Sequence, residues 1–227
     1  MSILREGAAS NSWRSVLRFM PRNSMACGLA CSCEKPNMGL REEVTTVITC
    51  LDERKSTQMA AWLLEKTNGR MKYLKLIKLL YITDREALRK WGQPLTGDSY
   101  YSLPHGPIVS RIQDLITDDP EFSESTYWCD FIKREDYDVV LTSVPKYDRL
   151  SEGEIELLRM VFDQYGSMSR WDLRDLTHEF PEWKNPDRGS IPISYEDILE
   201  AVGRENEAAE IASDIEADNF VFNLLEG

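Results

Sequence analysis

The amino-acid sequence predicts a mainly α fold: a compact helical domain around a buried central helix, with one small β-hairpin. Three observations carry this. Tyr73, Leu74, Leu76, Ile77, Leu79, Leu80, Tyr81 and Ile82 cover most of the circumference of a helix over about residues 71–91, and a helix apolar on that many sides belongs inside a domain. Several flanking segments place apolar residues on one helical face only. One stretch, 127–143, is instead rich in aromatic and β-branched residues on both sides of a charged turn, which is the pattern of a hairpin.

Taken in order, residues 1–40 show no sustained periodicity. Asn11, Pro21, Asn23, Pro36 and Asn37 interrupt any regular element, so this segment is expected to be disordered or a non-native extension. Its Arg-rich, acid-poor start resembles a transit peptide, whereas Arg14, Arg18 and Arg22 break up any secretory apolar core. Cys27, Cys31 and Cys33 suggest a metal, but C-x3-C-x-C without a fourth ligand nearby falls short of a structural zinc site.

From Arg41 to about Leu51 a first helix is expected, with Val44, Val47, Ile48 and Leu51 on one face. Lys55–Lys66 is a second, closed by Asn68-Gly69. The central helix stops after Trp91 at Gly92, Pro94 and Gly97. A stiffened loop follows to Pro104-His105-Gly106-Pro107, with Pro107 expected as the first residue of the next helix. Ile108, Ile112, Leu115 and Ile116 would face inward from that helix. In the hairpin, Trp128, Phe131 and Ile132 precede a turn at 133–136, and Tyr137, Val139, Val140 and Leu141 follow.

Ser151-Glu152-Gly153-Glu154 is a capping box opening a helix that ends at Gly166. Ser169 starts a shorter helix. A proline-bounded loop leads to Tyr195–Leu199, and an acidic helix over 204–219 precedes the apolar end Phe220, Val221, Phe222, Leu224 and Leu225. The organisation is thus an extension, 1–40, a helical domain, 41–203, and an acidic helix with an apolar end, 204–227.

The formal net charge is −12, which argues against a nucleic-acid partner, since phosphate contacts need surplus Lys and Arg. The charge is uneven. Residues 1–24 carry four Arg against one Glu, and residues 200–227 carry eight Asp/Glu against one Arg. No apolar run reaches the length of a membrane span. Five cysteines in no paired pattern, with Cys50 and Cys129 alone in apolar surroundings, fit a reducing cytoplasm.

The motifs K-L-x-K-L-L-Y-x-x-D, P-L-T-G-D and P-H-G-P-I follow one another at Lys75, Leu76, Lys78, Leu79, Leu80, Tyr81 and Asp84, then Pro94–Asp98, then Pro104, His105, Gly106 and Pro107. Leu176-Thr177-His178-Glu179 with Trp183-Lys184 continues the series. This ordered set resembles the SocA-like antitoxin domain, also called the Panacea domain, over roughly Lys55 to Tyr195. The resemblance implies the antitoxin half of a bacterial or prophage toxin–antitoxin system that neutralises a cognate toxin by direct protein–protein contact. An adaptor presenting its partner to a cellular protease, a DNA-binding regulator and an uncharacterised enzyme remain as alternatives.

The candidate residues have both active and structural readings. His105 and His178, with Asp84 and Glu179, could form an acid–base or metal set. Without a third strong ligand or a nucleophile they read better as locks that fix a loop on the central helix, and no catalytic residue, metal or cofactor is expected. Gly97 and Gly106 suit backbone conformations closed to other residues. Lys72, Lys75, Lys78, Arg85 and Arg89 form a basic stripe on the central helix, either a solvated face or a partner site. The 151–180 helix–turn–helix carries Asp172 and Asp175 beside Arg170 and Arg174, a poor match to DNA phosphates. Two surfaces are candidates for the partner. One is the loop from Pro94 through Asp98 to Pro107 with Lys75 and Lys78. The other is the C-terminal end with Phe220, Phe222 and Leu225 as anchors.

Overall fold

The computed structural model describes residues 50–117 and 127–226. Among these the fold is mainly α with some β: eight helices and two small three-stranded antiparallel sheets. The helix expected over 41–51 and the cysteine cluster at 27–33 lie outside the described residues, except that Cys50 and Leu51 are not helical.

Helix α1, Glu53–Glu65, starts where the Asp52 carboxylate accepts from the Lys55 N–H at 2.8 Å. Asn68 and Gly69, at φ of +57° and +77°, turn the chain into strand β1, Arg70–Lys72. Helix α2, Tyr73–Trp91, follows with no side-chain cap; the Tyr73 N–H donates instead to the Tyr137 carbonyl at 3.0 Å, so the neighbouring sheet begins this helix. It ends at Gly92, left-handed at φ +71°, whose N–H returns to Leu88. Eleven of its nineteen residues are buried.

Seven of the other elements pack directly on α2. The second sheet contains β2, Tyr100–Leu103, and β3, Gly106–Val109, and helix α3, Ser110–Thr117, follows β3 directly. Helix α4, Tyr127–Phe131, leads into β4, Ile132–Glu135, and β5, Asp138–Leu141. Then come α5, Glu152–Tyr165, α6, Arg170–His178, β6, Ile191–Ile193, α7, Tyr195–Ala201, and α8, Ala208–Glu226. Helix α2 packs on α1, α3, α5, α6 and α7 and on β1 and β3. Ser151 with Glu154 closes the expected capping box on α5. Ser169 with Asp172 and Ser194 with Asp197 close two more, on α6 and α7.

Four expectations need correction. The single hairpin is one part of a sheet ordered β1-β5-β4, with its turn at Asp136 and Tyr137 rather than at 133–136. The stretch 100–109, expected as a loop entering a helix, forms a hairpin that pairs with β6 in the order β3-β2-β6. Pro107 therefore lies in the edge strand opposite Ser102, a position where a missing N–H costs no ladder bond. Helix α3 instead begins at Ser110, because the Asp98 carboxylate accepts from the Arg111 and Ile112 N–H groups, each at 2.9 Å. Cys129, expected in apolar surroundings, is exposed. Finally, the acidic helix does not stop at 219: α8 continues through the apolar end to Glu226.

Candidate functional site

Lys78, Tyr81, Asp84 and Arg85 recur at steps of three and four along α2, which puts them on neighbouring faces of the helix. Lys78, Tyr81 and Asp84 are fully buried. Burying polar groups is unfavourable unless each finds a partner, and the partners come from two distant segments, 94–109 and 177–184.

Asp84 accepts from the Leu95 N–H at 2.9 Å, the Thr96 N–H at 3.1 Å and the Tyr100 hydroxyl at 2.9 Å, and also from the Thr96 hydroxyl. Burial raises its pKa, and these four donors oppose the rise. Asp98 accepts from the Ser99, Arg111 and Ile112 N–H groups. Burial pushes its pKa up to about 6 against the pull of those N–H groups. Gly97, between the two carboxylates, sits at φ +66°, and a Cβ there would run into the Cys50 carbonyl.

Tyr81 donates to Glu182 at 2.9 Å, and the Arg85 guanidinium reaches the same carboxylate at 2.7 Å while lying 4.3 Å over the Phe180 ring. Glu182 has no exposed side-chain surface. This pairing ties the 177–184 segment to α2. Glu182 was not among the sequence candidates: a single Glu in a proline-bounded loop carries no local sign that it will be buried.

One turn earlier, Lys78 donates through Nζ to the Pro107 carbonyl at 2.5 Å. Among the described residues it forms no ion pair, and burial pushes its pKa well below the ordinary lysine value. Gly106 makes room for it. At φ +90°, a Cβ on Gly106 would stand 2.7 Å from Lys78 Nζ, 2.8 Å from Thr177 Oγ1 and 3.2 Å from His178 Cδ2. The His178 ring stacks on Trp183 at 4.0 Å, and Trp183 donates to the Leu103 carbonyl at 3.1 Å. Burial, then the positive charges of Lys78 and Arg174, lower the His178 pKa. Its Nε2 is buried without a hydrogen-bond partner among the described residues. His105, half-buried at the β2–β3 turn beside exposed Pro104, meets Trp171 edge-on at 6.3 Å. Its pKa is lowered by burial and then by Arg174 and Lys78.

The motif residues thus converge on α2, where they anchor β2, β3 and the 177–184 segment. Glu179 stands apart, exposed as the C-cap of α6. The basic stripe is engaged within the chain. Lys78 is internal, Lys75 donates to the Gly166 carbonyl at 2.6 Å, Arg85 is paired with Glu182, Arg89 with Glu86 and Lys72 with Asp138. Lys78 is buried and finds an internal acceptor, whereas Lys75 remains partly exposed. No group of three or more metal-ligating side chains occurs among the described residues, and none of their helices is long and apolar enough to cross a membrane.

The C-terminal candidates are placed differently. Along α8, Ala208, Ala212, Ile215 and Asn219 are buried at steps of four and three, and the Asn219 carbonyl accepts from the Cys50 thiol. Beyond them Phe220, Val221, Phe222 and Leu224 are 52%, 53%, 45% and 67% exposed. Leu225 lies in the same helical turn, and its side chain is outside the described set.

The family model described as antitoxin SocA-like, Panacea domain, matches residues 76–184. The match runs from within the first turn of α2 to the Trp183-Lys184 pair and is narrower than the Lys55–Tyr195 range read from the motifs. No curated protein and no solved structure matches the chain.

Proposed function

We propose, from the membership of residues 76–184 in the antitoxin SocA-like, Panacea family, that this protein is an antitoxin that neutralises a toxin protein by direct, stoichiometric binding. The family match carries the reading. It is supported by the end of α8, where four large apolar side chains within five residues stay in contact with solvent. Contiguous exposed apolar surface on a chain with a large core marks an interaction site more often than chance. Phe220 and Phe222 would supply the desolvated anchors that dominate binding energy. Glu210, Asp214, Glu216 and Asp218 on the same helix would steer a basic partner surface towards it.

The test is co-expression with the proteins encoded beside the gene. One of them should arrest growth alone and be relieved, and co-purified, with the full chain. A chain ending at Asn219 keeps the buried face of α8 and should lose relief while keeping its fold. If no neighbouring protein is toxic or bound, the antitoxin reading fails. The protease-adaptor reading uses the same apolar end as a handle and differs in one respect: the partner's half-life in the cell would fall when this chain is present.

A further inference from the structure

Outside the motif core, a second set of rings and guanidinium groups lines the outward side of α6 and the neighbouring β4–β5 turn. Trp171 is 44% exposed although it lies in the first turn of α6. The Arg170 and Arg174 guanidinium carbons stand 4.7 and 5.0 Å from its ring centre, and His105 meets it edge-on. Next to this, the Arg134 guanidinium lies 5.1 Å over Tyr73, which stacks on Tyr137, itself 53% exposed. Burial raises the Tyr73 pKa, and the Arg134 and Arg170 charges oppose the rise.

The acids nearby are largely committed. Asp172 accepts from the Ser169 N–H in the capping box, and Asp175 pairs with Arg174 at 2.6 Å. Arg170 forms no ion pair among the described residues. A guanidinium stacked on an indole keeps its in-plane N–H groups for a carboxylate, which it grips in bidentate fashion. Trp, Tyr and Arg are also the residue types that most often carry binding energy. The chain's net charge of −12 repels a long polyanion, so the face suits a short acidic segment better than a nucleic acid.

We propose that the face centred on Trp171 and Arg170, with the Arg174–Asp175 pair beside them, docks an acidic segment of the protein partner, a carboxylate on Arg170 and an apolar side chain on the indole. This rests on the protein-binding reading above and adds a surface of opposite charge to the end of α8.

The experiment measures fluorescence anisotropy of short, blocked, labelled probes on the full chain: a peptide of alternating Glu and Leu, its Lys/Leu counterpart, and single-stranded oligo-dT. The Glu/Leu peptide should bind, and the Arg170→Glu, Arg174→Glu double variant and Trp171→Ala should each weaken it at least about tenfold with an unchanged melting midpoint. Absence of binding, equal binding by the double variant, or equal binding of the Lys/Leu peptide overturns the proposal. So does tighter binding of oligo-dT that the same arginine changes abolish, since stacking on Trp171 and Tyr137 would then serve a nucleic acid. A concentration-dependent dimer lost in the double variant assigns the face to a second copy and also overturns it. In the growth assay, a wild-type chain that fails to relieve arrest defeats the antitoxin reading and leaves the peptide result to decide the face. If wild type and double variant relieve arrest equally, the face is not where the partner docks.

Discussion

The inward face of α2 and the end of α8 invert the usual placement of side chains. On α2 the charged and polar residues Lys78, Tyr81, Asp84 and Thr83 are buried, whereas at the end of α8 the apolar residues Phe220, Val221, Phe222 and Leu224 face solvent. Each inversion is unfavourable in isolation. On α2 it is offset by hydrogen bonds to backbone groups 11 to 29 residues away and to Glu182 further on. At the end of α8 nothing within the described chain offsets it. The first inversion fastens the 94–109 and 177–184 segments to the helix, and the second leaves apolar surface in contact with solvent.

Four measurements break or sharpen this contrast. The largest effect is expected from Asp84→Ala. It strands the Leu95 and Thr96 N–H groups and the Thr96 and Tyr100 hydroxyls in the core. At about 1–3 kcal/mol for each orphaned group, a loss of at least about 4 kcal/mol, or of the cooperative transition itself, should appear in urea unfolding. A loss below about 1 kcal/mol would show that α2 does not depend on its polar face.

Next come two glycines with the same backbone hand and different surroundings. Gly189→Ala meets no atom within 4 Å and should cost only about 1 kcal/mol for its positive φ. Gly106→Ala also pushes into Lys78, Thr177 and His178 and should cost on the order of 3 kcal/mol. Equal costs would mean that the Lys78–His178 junction yields easily.

The third is a pH dependence. Asp98 holds its proton up to about 6 in the fold against an ordinary 3.8. Between those values the folded chain binds the proton and the unfolded chain does not, so this group's contribution falls as pH rises through the window, by at most about 1.4 kcal/mol per unit. His105 and His178, both lowered mainly by burial, act in the opposite direction: their contribution is present above about 6.5 and fades as pH falls below it. Comparing the stability curves of wild type and Asp98→Asn isolates the carboxyl. The difference should vary from about pH 4 to 6 and be flat above; a constant offset would show that Asp98 is ionised throughout.

The smallest effect on stability is expected from Phe220→Ala with Phe222→Ala. Exposed positions of this kind change stability by within about 0.5 kcal/mol, so the melting midpoint should hold while toxin neutralisation weakens. A clear loss of stability would place these rings in the chain's own packing.

Much of this protein was legible from local chemistry. The apolar run of α2, the Ser151 capping box, the Asn68-Gly69 turn and the charge of the C-terminal helix depend on neighbours a few residues apart, and each can be read without knowing the fold. The order of the Lys78, Asp84, Asp98, His105 and His178 motifs also carried the resemblance to the family whose model matches residues 76–184. Tertiary structure decided the rest. Whether Lys78 faces water or the Pro107 carbonyl, whether Glu182 is buried, and whether 100–109 is a loop or a hairpin paired with Ile191–Ile193 depend on partners up to about a hundred residues distant. A polar residue reports its own chemistry in the sequence but not the depth at which it will be satisfied. That depth is set only when the segments carrying its partners pack on α2.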